Sequence, residues 1–365
     1  MDEIRILIAG GGTGGHLFPA IAIGETILSI YKNAVVHYMG SKFGIESRVL
    51  PVKGVPHTLL PMKGLQRSFA LHTIMKNLSL PYYYLKSMSI AGDVFSEFMP
   101  QIVVGTGGYA SAIPVKIALK NNLPIVLQEQ NSYPGLTTRL YASKSKLVCT
   151  AFDEAHRYLN AECFLTGNPI RNDIMYGDKD KGGRKFHLDP NKNTLFVFGG
   201  SQGSLFLNHL MEDSIEKLQK NKIQVLWQTG DKHYNQYKHF DSETIRVVPF
   251  IDSMADAYAL CDLIVSRSGA LAVSEIIAVG KASILIPFSN AAENHQYKNA
   301  KVLADQKAAV LLSEKNLDSI KCVRTIMKLV NNKTTLKEMG KMAKSMSKLN
   351  AKELITTKII ELATA

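Results

Sequence analysis

Few cysteines, no long apolar run and a shortage of acids narrow this sequence before any motif is read. Its four cysteines, Cys149, Cys163, Cys261 and Cys322, are widely scattered and include no C-x-x-C pair. Such spacing reads as reduced, mostly buried thiols of a cytosolic protein; it argues against a disulfide framework, a zinc site or a cysteine nucleophile. No apolar stretch approaches the roughly 18–20 residues that a membrane-spanning helix needs. The first residues, Met1-Asp2-Glu3-Ile4-Arg5-Ile6-Leu7-Ile8-Ala9, carry acids where a signal peptide carries bases, and run directly into glycines. They read as a buried first strand, and the chain is expected to be soluble or peripheral.

Acids number 31 against 43 lysines and arginines, a net charge of +12. That balance points to a polyanionic partner: nucleic acid, an anionic membrane face or phosphorylated substrates. Much of the excess sits at Lys315, Lys321, Arg324, Lys328, Lys333, Lys337, Lys341, Lys344 and Lys348. Their helix-like spacing among apolar residues favours solvated faces of terminal helices over a binding stripe. With no nucleic-acid motif or interleaved aromatics, nucleic acid is not an expected partner.

What is present is an ordinary globular composition, 46% hydrophobic and 20% charged, in 365 residues. That length favours two domains over one core. Short β-branched runs alternate with helical patterns, as a parallel α/β architecture requires. Residues 4–9, 34–39, 102–104, 125–127 and 146–150 read as strands of a first sheet. Residues 194–198, 224–228, 244–248, 263–265 and 283–286 read as strands of a second. Residues 177–185, charged and glycine-rich, read as an exposed loop near the boundary. The expectation is two Rossmann-like, doubly wound domains facing across a cleft. They would span 1–167 and 168–345, with a last helix at about 346–365 packing back on the first.

Three glycine loops follow strands. Gly10-Gly11-Gly12-Thr13-Gly14-Gly15 satisfies G-x-G-x-x-G, which lets bare backbone N–H groups approach an anion at a helix N-terminus. The acid expected at the end of the second strand for a dinucleotide's ribose is missing from Tyr38-Met39-Gly40-Ser41-Lys42. No Walker A ending follows either, so a diphosphate fits better than a nicotinamide dinucleotide; a structural strand–helix turn is the plain alternative. Gly105-Thr106-Gly107-Gly108-Tyr109 and Gly199-Gly200-Ser201-Gln202-Gly203 repeat the arrangement. Two diphosphate-bearing substrates would use all three loops. Asp178-Lys179-Asp180 spells a D-x-D but lies among lysines and glycines, so no metal site is expected there.

In their order along the chain, several segments closely resemble the MurG family of bacterial GT-B glycosyltransferases. They are Gly11–His16, Gly105–Tyr109, Glu129-Gln130-Asn131, Gly167-Asn168-Pro169-Ile170-Arg171, Gly199–Gly203, Phe250-Ile251-Asp252, Arg267-Ser268-Gly269-Ala270 and His295-Gln296. The resemblance implies inverting transfer of N-acetylglucosamine from UDP-N-acetylglucosamine to the C4 hydroxyl of the N-acetylmuramyl sugar of lipid I, giving lipid II, without metal or cofactor. It also implies a peripheral place on the cytoplasmic side of the bacterial inner membrane, against its anionic surface and among cell-wall synthesis and division proteins.

The resemblance also distributes roles. His16 is the expected general base, since imidazole is the side chain intrinsically suited to proton transfer near neutral pH, although capping the helix or holding a phosphate is the alternative. Glu129 is a second candidate for the base, or orients His16. Gln128 stands where many relatives carry histidine, so a proton relay through it is not expected. Gly12, Gly105, Gly107, Gly108 and Tyr109 would meet the acceptor. Thr13, Gly14 and Gly15 would meet the donor's sugar on the acceptor side, and Asn131 has both donors and acceptors for sugar hydroxyls. Arg171 would neutralise the UDP leaving group, or is a surface arginine at a hinge. Ser201 would donate to a donor phosphate and Ile251 would meet uracil through its backbone. Ala270, Leu271, Ala272, Val273 and Ser274 form a helix start for the donor. Glu275 would accept both ribose hydroxyls, its plain alternative being a first-turn charge. Gln296 would read the N-acetylglucosamine hydroxyls. Residues 71–86, mixing aliphatics and three tyrosines with Lys76 and Lys86, with Lys63 and Arg67 upstream, would touch the bilayer or else form a core helix. A UDP-N-acetylglucosamine epimerase of the same fold is the runner-up; a dehydrogenase and a sugar-nucleotide sensor are weaker readings.

Overall fold

The computed structural model describes residues 3–64 and 78–365. They divide into two units, Met1–Pro169 with Asn350–Ala365, and Ile170–Leu349.

The first unit is built on strands β1 (Ile4–Ala9), β2 (Ala34–Ser41), β3 (His57–Leu60), β4 (Ile102–Gly105), β5 (Ile125–Glu129), β6 (Leu147–Thr150) and β7 (Cys163–Leu165). Their order is β3-β2-β1-β4-β5-β6-β7, every pairing parallel. Parallel strands need crossovers, and helices on both faces bury the sheet, which is why β1, β4 and β5 read as unbroken apolar runs. Strands β3 and β7 escaped the sequence reading because both are short edge strands with half-buried, mixed residues. The winding reverses between β1 and β4, where Ala9 pairs with Gly105. Loops leaving those two strands therefore diverge to opposite faces and leave room at the carboxyl edge of the sheet.

The second unit repeats the plan with β8 (Thr194–Phe198), β9 (Gln224–Gln228), β10 (Ile245–Val248), β11 (Leu263–Ser266), β12 (Ser283–Leu285) and β13 (Ala309–Leu311). The order is β10-β9-β8-β11-β12-β13, again all parallel, with its reversal between β8 and β11.

One expectation needs correcting. Residues 177–185 are not a loop: Lys179–Phe186 is a helix, its start capped by Asp178, whose carboxylate accepts from the Lys181 N–H at 2.6 Å. The glycines serve close packing instead of flexibility. A Cβ on Gly182 would come within 2.6 Å of the Asp256 carbonyl, in the helix Met254–Leu260. Asp178 of the D-x-D is thus spent on a helix cap.

After the second unit the chain returns, and helix Ala351–Ala363 lies against helix Gly14–Ile30. Its Ile355, Ile359 and Ile360 join Ile23, Ile27 and Val104 in one buried cluster. Replacing Ile359 by alanine should therefore cost about 2–5 kcal/mol, the usual cavity penalty for a buried aliphatic. Urea unfolding followed by circular dichroism measures it, and a loss below about 0.5 kcal/mol would show that the returning helix is dispensable to the first core.

Candidate functional site

In the first unit the loops after β1, β4 and β5 are tied together at the point of reversal. Thr106 sits at their crossing, fully buried. Its N–H donates to the Ala9 carbonyl at 2.8 Å and its hydroxyl to the His16 carbonyl at 2.8 Å. His16 begins the helix behind the first loop, and its Nδ1 lies 3.1 Å from the Thr106 carbonyl and 2.9 Å from Gln130 Oε1. Gly107 and Gly108, at φ +94° and +72°, press flat against the imidazole. A Cβ on either would stand 2.9–3.0 Å from ring atoms, so both the backbone angle and the contact demand glycine.

The first glycine loop holds an acid the sequence reading did not find. Glu46 follows β2 by five residues and turns back into the loop, where it is fully buried. Both carboxylate oxygens accept from the Gly12 N–H at 2.9 Å, and one accepts from Ser41 N–H at 2.8 Å. A Cβ on Gly11 would lie 2.3 Å from that carboxylate. The Gly12 amide is therefore already spent, and a phosphate placed on it would meet a carboxylate. Gly105 has no exposed face. It ends β4, buried, and a Cβ there would press on Leu127 and Val115. Tyr109 leans over Gly12, with its hydroxyl 3.4 Å from Ser41 Oγ.

Glu129, at the end of β5, is buried and makes no hydrogen bond to His16. Its carboxylate accepts from Asn131 N–H at 3.0 Å, from Asn131 Nδ2 at 3.2 Å and from Gly135 N–H at 3.0 Å. It aims Asn131 and fastens the start of the following helix. Thr13 is exposed and Gly14 and Gly15 half-buried at the helix start, where the Thr13 side chain makes no capping hydrogen bond to the first N–H groups.

In the second unit the corresponding place is organised by Arg267, which the sequence reading used only as part of a motif. The residue is 7% exposed, and its guanidinium donates to Ser204 Oγ, to the carbonyls of Ile286 and Pro287, and to Glu314 Oε1, all at 3.0–3.1 Å. It thereby joins the loops after β8, β11, β12 and β13. Ser201 is exposed in the glycine loop after β8. Gln228, buried at the end of β9, donates to the Gly200 carbonyl and accepts from the Ile251 N–H, leaving Ile251 its carbonyl for a ligand.

Helix Ala270–Val279 starts after Gly269 with no side-chain cap and open space around the glycine. Ala270, Leu271 and Ala272 lie in its first turn. Val273 does not belong with them: its side chain is in the core and its N–H donates to the Gly269 carbonyl at 3.0 Å, the first bond of the helix. Ser274 is half-buried one position further on. Glu275 accepts from the Tyr258 hydroxyl at 3.0 Å. Desolvation pushes its carboxyl up to about 7, against the Tyr258 hydrogen bond and the nearby Arg171 charge, which hold it lower. Arg171 is exposed, 3.6 Å from Asp173. Gln296, in the first turn of helix His295–Asp305, accepts from the Phe288 N–H at 3.0 Å, leaving its Nε2 as a donor. Glu293 and Asn294 before it both sit at positive φ, a costly pair for non-glycine residues that sets the angle of this helix. Among the described residues no cluster of His, Cys, Asp or Glu is placed to hold a metal ion.

Residues 6–150 match the Glycosyltransferase family 28 N-terminal domain and residues 194–355 the Glycosyltransferase family 28 C-terminal domain. A protein of Flavobacterium psychrophilum is 36% identical over 99% of this chain and 98% of its own length. One of Thermodesulfovibrio yellowstonii is 37% identical over the same shares. Both are named UDP-N-acetylglucosamine–N-acetylmuramyl-(pentapeptide) pyrophosphoryl-undecaprenol N-acetylglucosamine transferase. The crystal structure of Acinetobacter baumannii MurG superposes with a TM-score of 0.79 at 25% identity, covering 98% of this chain and 99% of that one. A UDP-GlcNAc 2-epimerase from Neisseria meningitidis, bound to UDP-GlcNAc, shares the fold alone, with a TM-score of 0.63 at 13% identity over 99% of this chain and all of that one.

The Glu275 carboxyl offers a test that needs no substrate. A folded-state pKa raised from 4.5 to about 7 means that the folded protein holds this proton more tightly than the unfolded chain. Its contribution to stability is therefore present below about pH 4.5 and lost as the pH rises toward and through 7. Glu275→Gln should flatten that decline, so the melting-temperature gap between variant and parent should move in the variant's favour from about pH 5 to about pH 8. A gap independent of pH would show that Glu275 is not desolvated as described.

Proposed function

Because the chain belongs to glycosyltransferase family 28, we propose that it transfers N-acetylglucosamine from UDP-N-acetylglucosamine, with inversion, to the C4 hydroxyl of the N-acetylmuramyl sugar of lipid I. The observation that carries this reading is the match of relatives named for that transfer over 99% of the chain, spanning the loop clusters of both units. The roles divide by unit. The first unit binds the acceptor, near Gly107, Gly108 and Tyr109, and supplies the base. His16 takes the proton of the acceptor hydroxyl as that oxygen attacks the anomeric carbon, and UDP leaves from the opposite face. Thr13, Gly14, Gly15 and Asn131 hold the transferred sugar, with Glu129 aiming Asn131 in place of acting as base.

The second unit holds the donor. The uncapped helix start at Ala270–Ala272 and the Ser201 hydroxyl receive the diphosphate, whose growing charge Arg171 offsets on departure. Glu275 accepts the ribose hydroxyls, Ile251 meets uracil through its carbonyl, and Gln296 donates to the sugar from Nε2.

A lipid acceptor requires a surface that meets the bilayer. Helix Leu80–Phe98 exposes Tyr82 and Leu85, at 60% and 67%, with Leu78 just before it. Lys63 Nζ stands 4.3 Å over the Tyr83 ring and 4.7 Å over Phe43, and Lys86 5.9 Å over Tyr82. Ammonium groups beside exposed aromatic rings suit the headgroup layer of an anionic membrane. Residues 71–77 of the proposed interfacial segment, and Arg67, lie outside the described residues. No helix among the described ones is long and apolar enough to cross a membrane, so contact is peripheral in this reading. There the enzyme would work beside cell-wall synthesis and division proteins.

Purified protein incubated with UDP-N-acetylglucosamine should release UDP only when a lipid I analogue is added. Isomerised sugar nucleotide without acceptor would instead support the epimerase. For the surface, Tyr82→Ser with Leu85→Ser should lower recovery on anionic vesicles several-fold while turnover of a soluble acceptor survives. Unchanged vesicle binding would remove this helix from the membrane contact.

A further inference from the structure

Behind His16 three buried side-chain amides form a hydrogen-bonded ring that closes through the Gln130 main-chain carbonyl. Asn168 Nδ2 donates to the Gln130 carbonyl at 3.0 Å, Gln128 Nε2 donates to Asn168 Oδ1 at 3.0 Å, and Gln130 Nε2 donates to Gln128 Oε1. All three residues are at most 3% exposed. Gln130 Nε2 is further surrounded by the Thr106 carbonyl at 2.7 Å and the Gln128 carbonyl at 3.1 Å. Turning this amide over would set its oxygen against three acceptor oxygens, two of them main-chain carbonyls that cannot turn with it, a costly exchange. Gln130 therefore has one orientation, and it presents Oε1 to His16 Nδ1.

That orientation decides the protonation of the imidazole. Nδ1 faces two oxygens, Gln130 Oε1 at 2.9 Å and the Thr106 carbonyl at 3.1 Å, neither of which can donate. The proton of neutral His16 must then be on Nδ1, and Nε2, which makes no hydrogen bond among the described residues, keeps the lone pair. We propose that Gln130 is a positioning residue for the transfer: locked by the Gln128–Asn168 amide ring, it fixes His16 as the Nδ1–H tautomer and so makes Nε2 the nitrogen that receives the acceptor's proton. The proposal rests on His16 acting as the base. It gives Gln128 a task that needs no titration, since an amide passes orientation along the ring without exchanging a proton.

Gln130→Met keeps the side-chain length and removes the acceptor. Nitrogen-15 spectra of histidine-labelled protein, with the His16 signal assigned by the His16→Ala variant, read the tautomer directly. Native His16 should be protonated at Nδ1, and Gln130→Met should populate the Nε2–H form. In the same variant kcat should fall about tenfold or more while KM for UDP-N-acetylglucosamine stays within about twofold, because the contacts proposed for its UDP lie in the second unit. A general packing defect would lower both without moving the tautomer. Should Gln130→Met fail to fold, the smaller Gln130→Leu removes the same acceptor and should move the same signal. Native His16 protonated at Nε2, or a folded Gln130 variant with tautomer and kcat unchanged, would overturn the proposal. The reading of His16 as base fails separately, if His16→Ala turns over normally while the native spectrum still shows Nδ1–H.

Discussion

The first unit's site hangs on one residue at the reversal of its sheet. Thr106 uses its N–H to hold β1, its hydroxyl to hold the first helix and its carbonyl to meet the imidazole of that helix. Three bonds from one buried residue fix the distance between two glycine loops that leave neighbouring strands for opposite faces of the sheet. Among the described residues no other hydrogen bond joins the His16 backbone to the loop after β4. The glycines on both sides follow from this closeness: Gly107 and Gly108 let the chain lie against the ring, and Gly11 leaves space for Glu46.

The second unit solves the same topological problem with a charge. Arg267 spends its donors on Ser204, Ile286, Pro287 and Glu314, so four strand-end loops share one guanidinium. A buried pair of this kind adds little net stability but is expensive to break, about 3–5 kcal/mol when one partner is removed. Its value is positional: it sets the glycine loop after β8 beside the uncapped start of helix Ala270–Val279. The two units thus share a plan, a rigid knot at the point of reversal with free N–H groups next to it, though one knot is neutral and the other ionic.

Much of this plan was legible in the sequence. Apolar runs ending in glycines gave the central strands, and three such endings marked strand-to-helix turns at the carboxyl edges of the two sheets. What was not legible has physical causes. Strands β3 and β7 are edge strands whose half-buried residues lack a clean period. The segment 177–185 misled because glycine beside charge signals a loop locally, whereas Gly182 is there to admit the neighbouring helix. Glu46 was missed because its carboxylate enters the loop from the next helix, where no fixed spacing announces it. Val273 and Gly105 fell inside matching motifs, but a motif does not say which of its residues face inward. The directions of the Gln128, Gln130 and Asn168 amides exist only in three dimensions.

The account as a whole stands on His16 as the base of an acceptor-dependent transfer. The direct measurement is steady-state turnover of His16→Ala with UDP-N-acetylglucosamine and a lipid I analogue, beside UDP binding to the same variant. A lost general base predicts kcat lower by about 10²–10⁴-fold with UDP affinity unchanged. Near-native kcat in a variant that still binds UDP would contradict it.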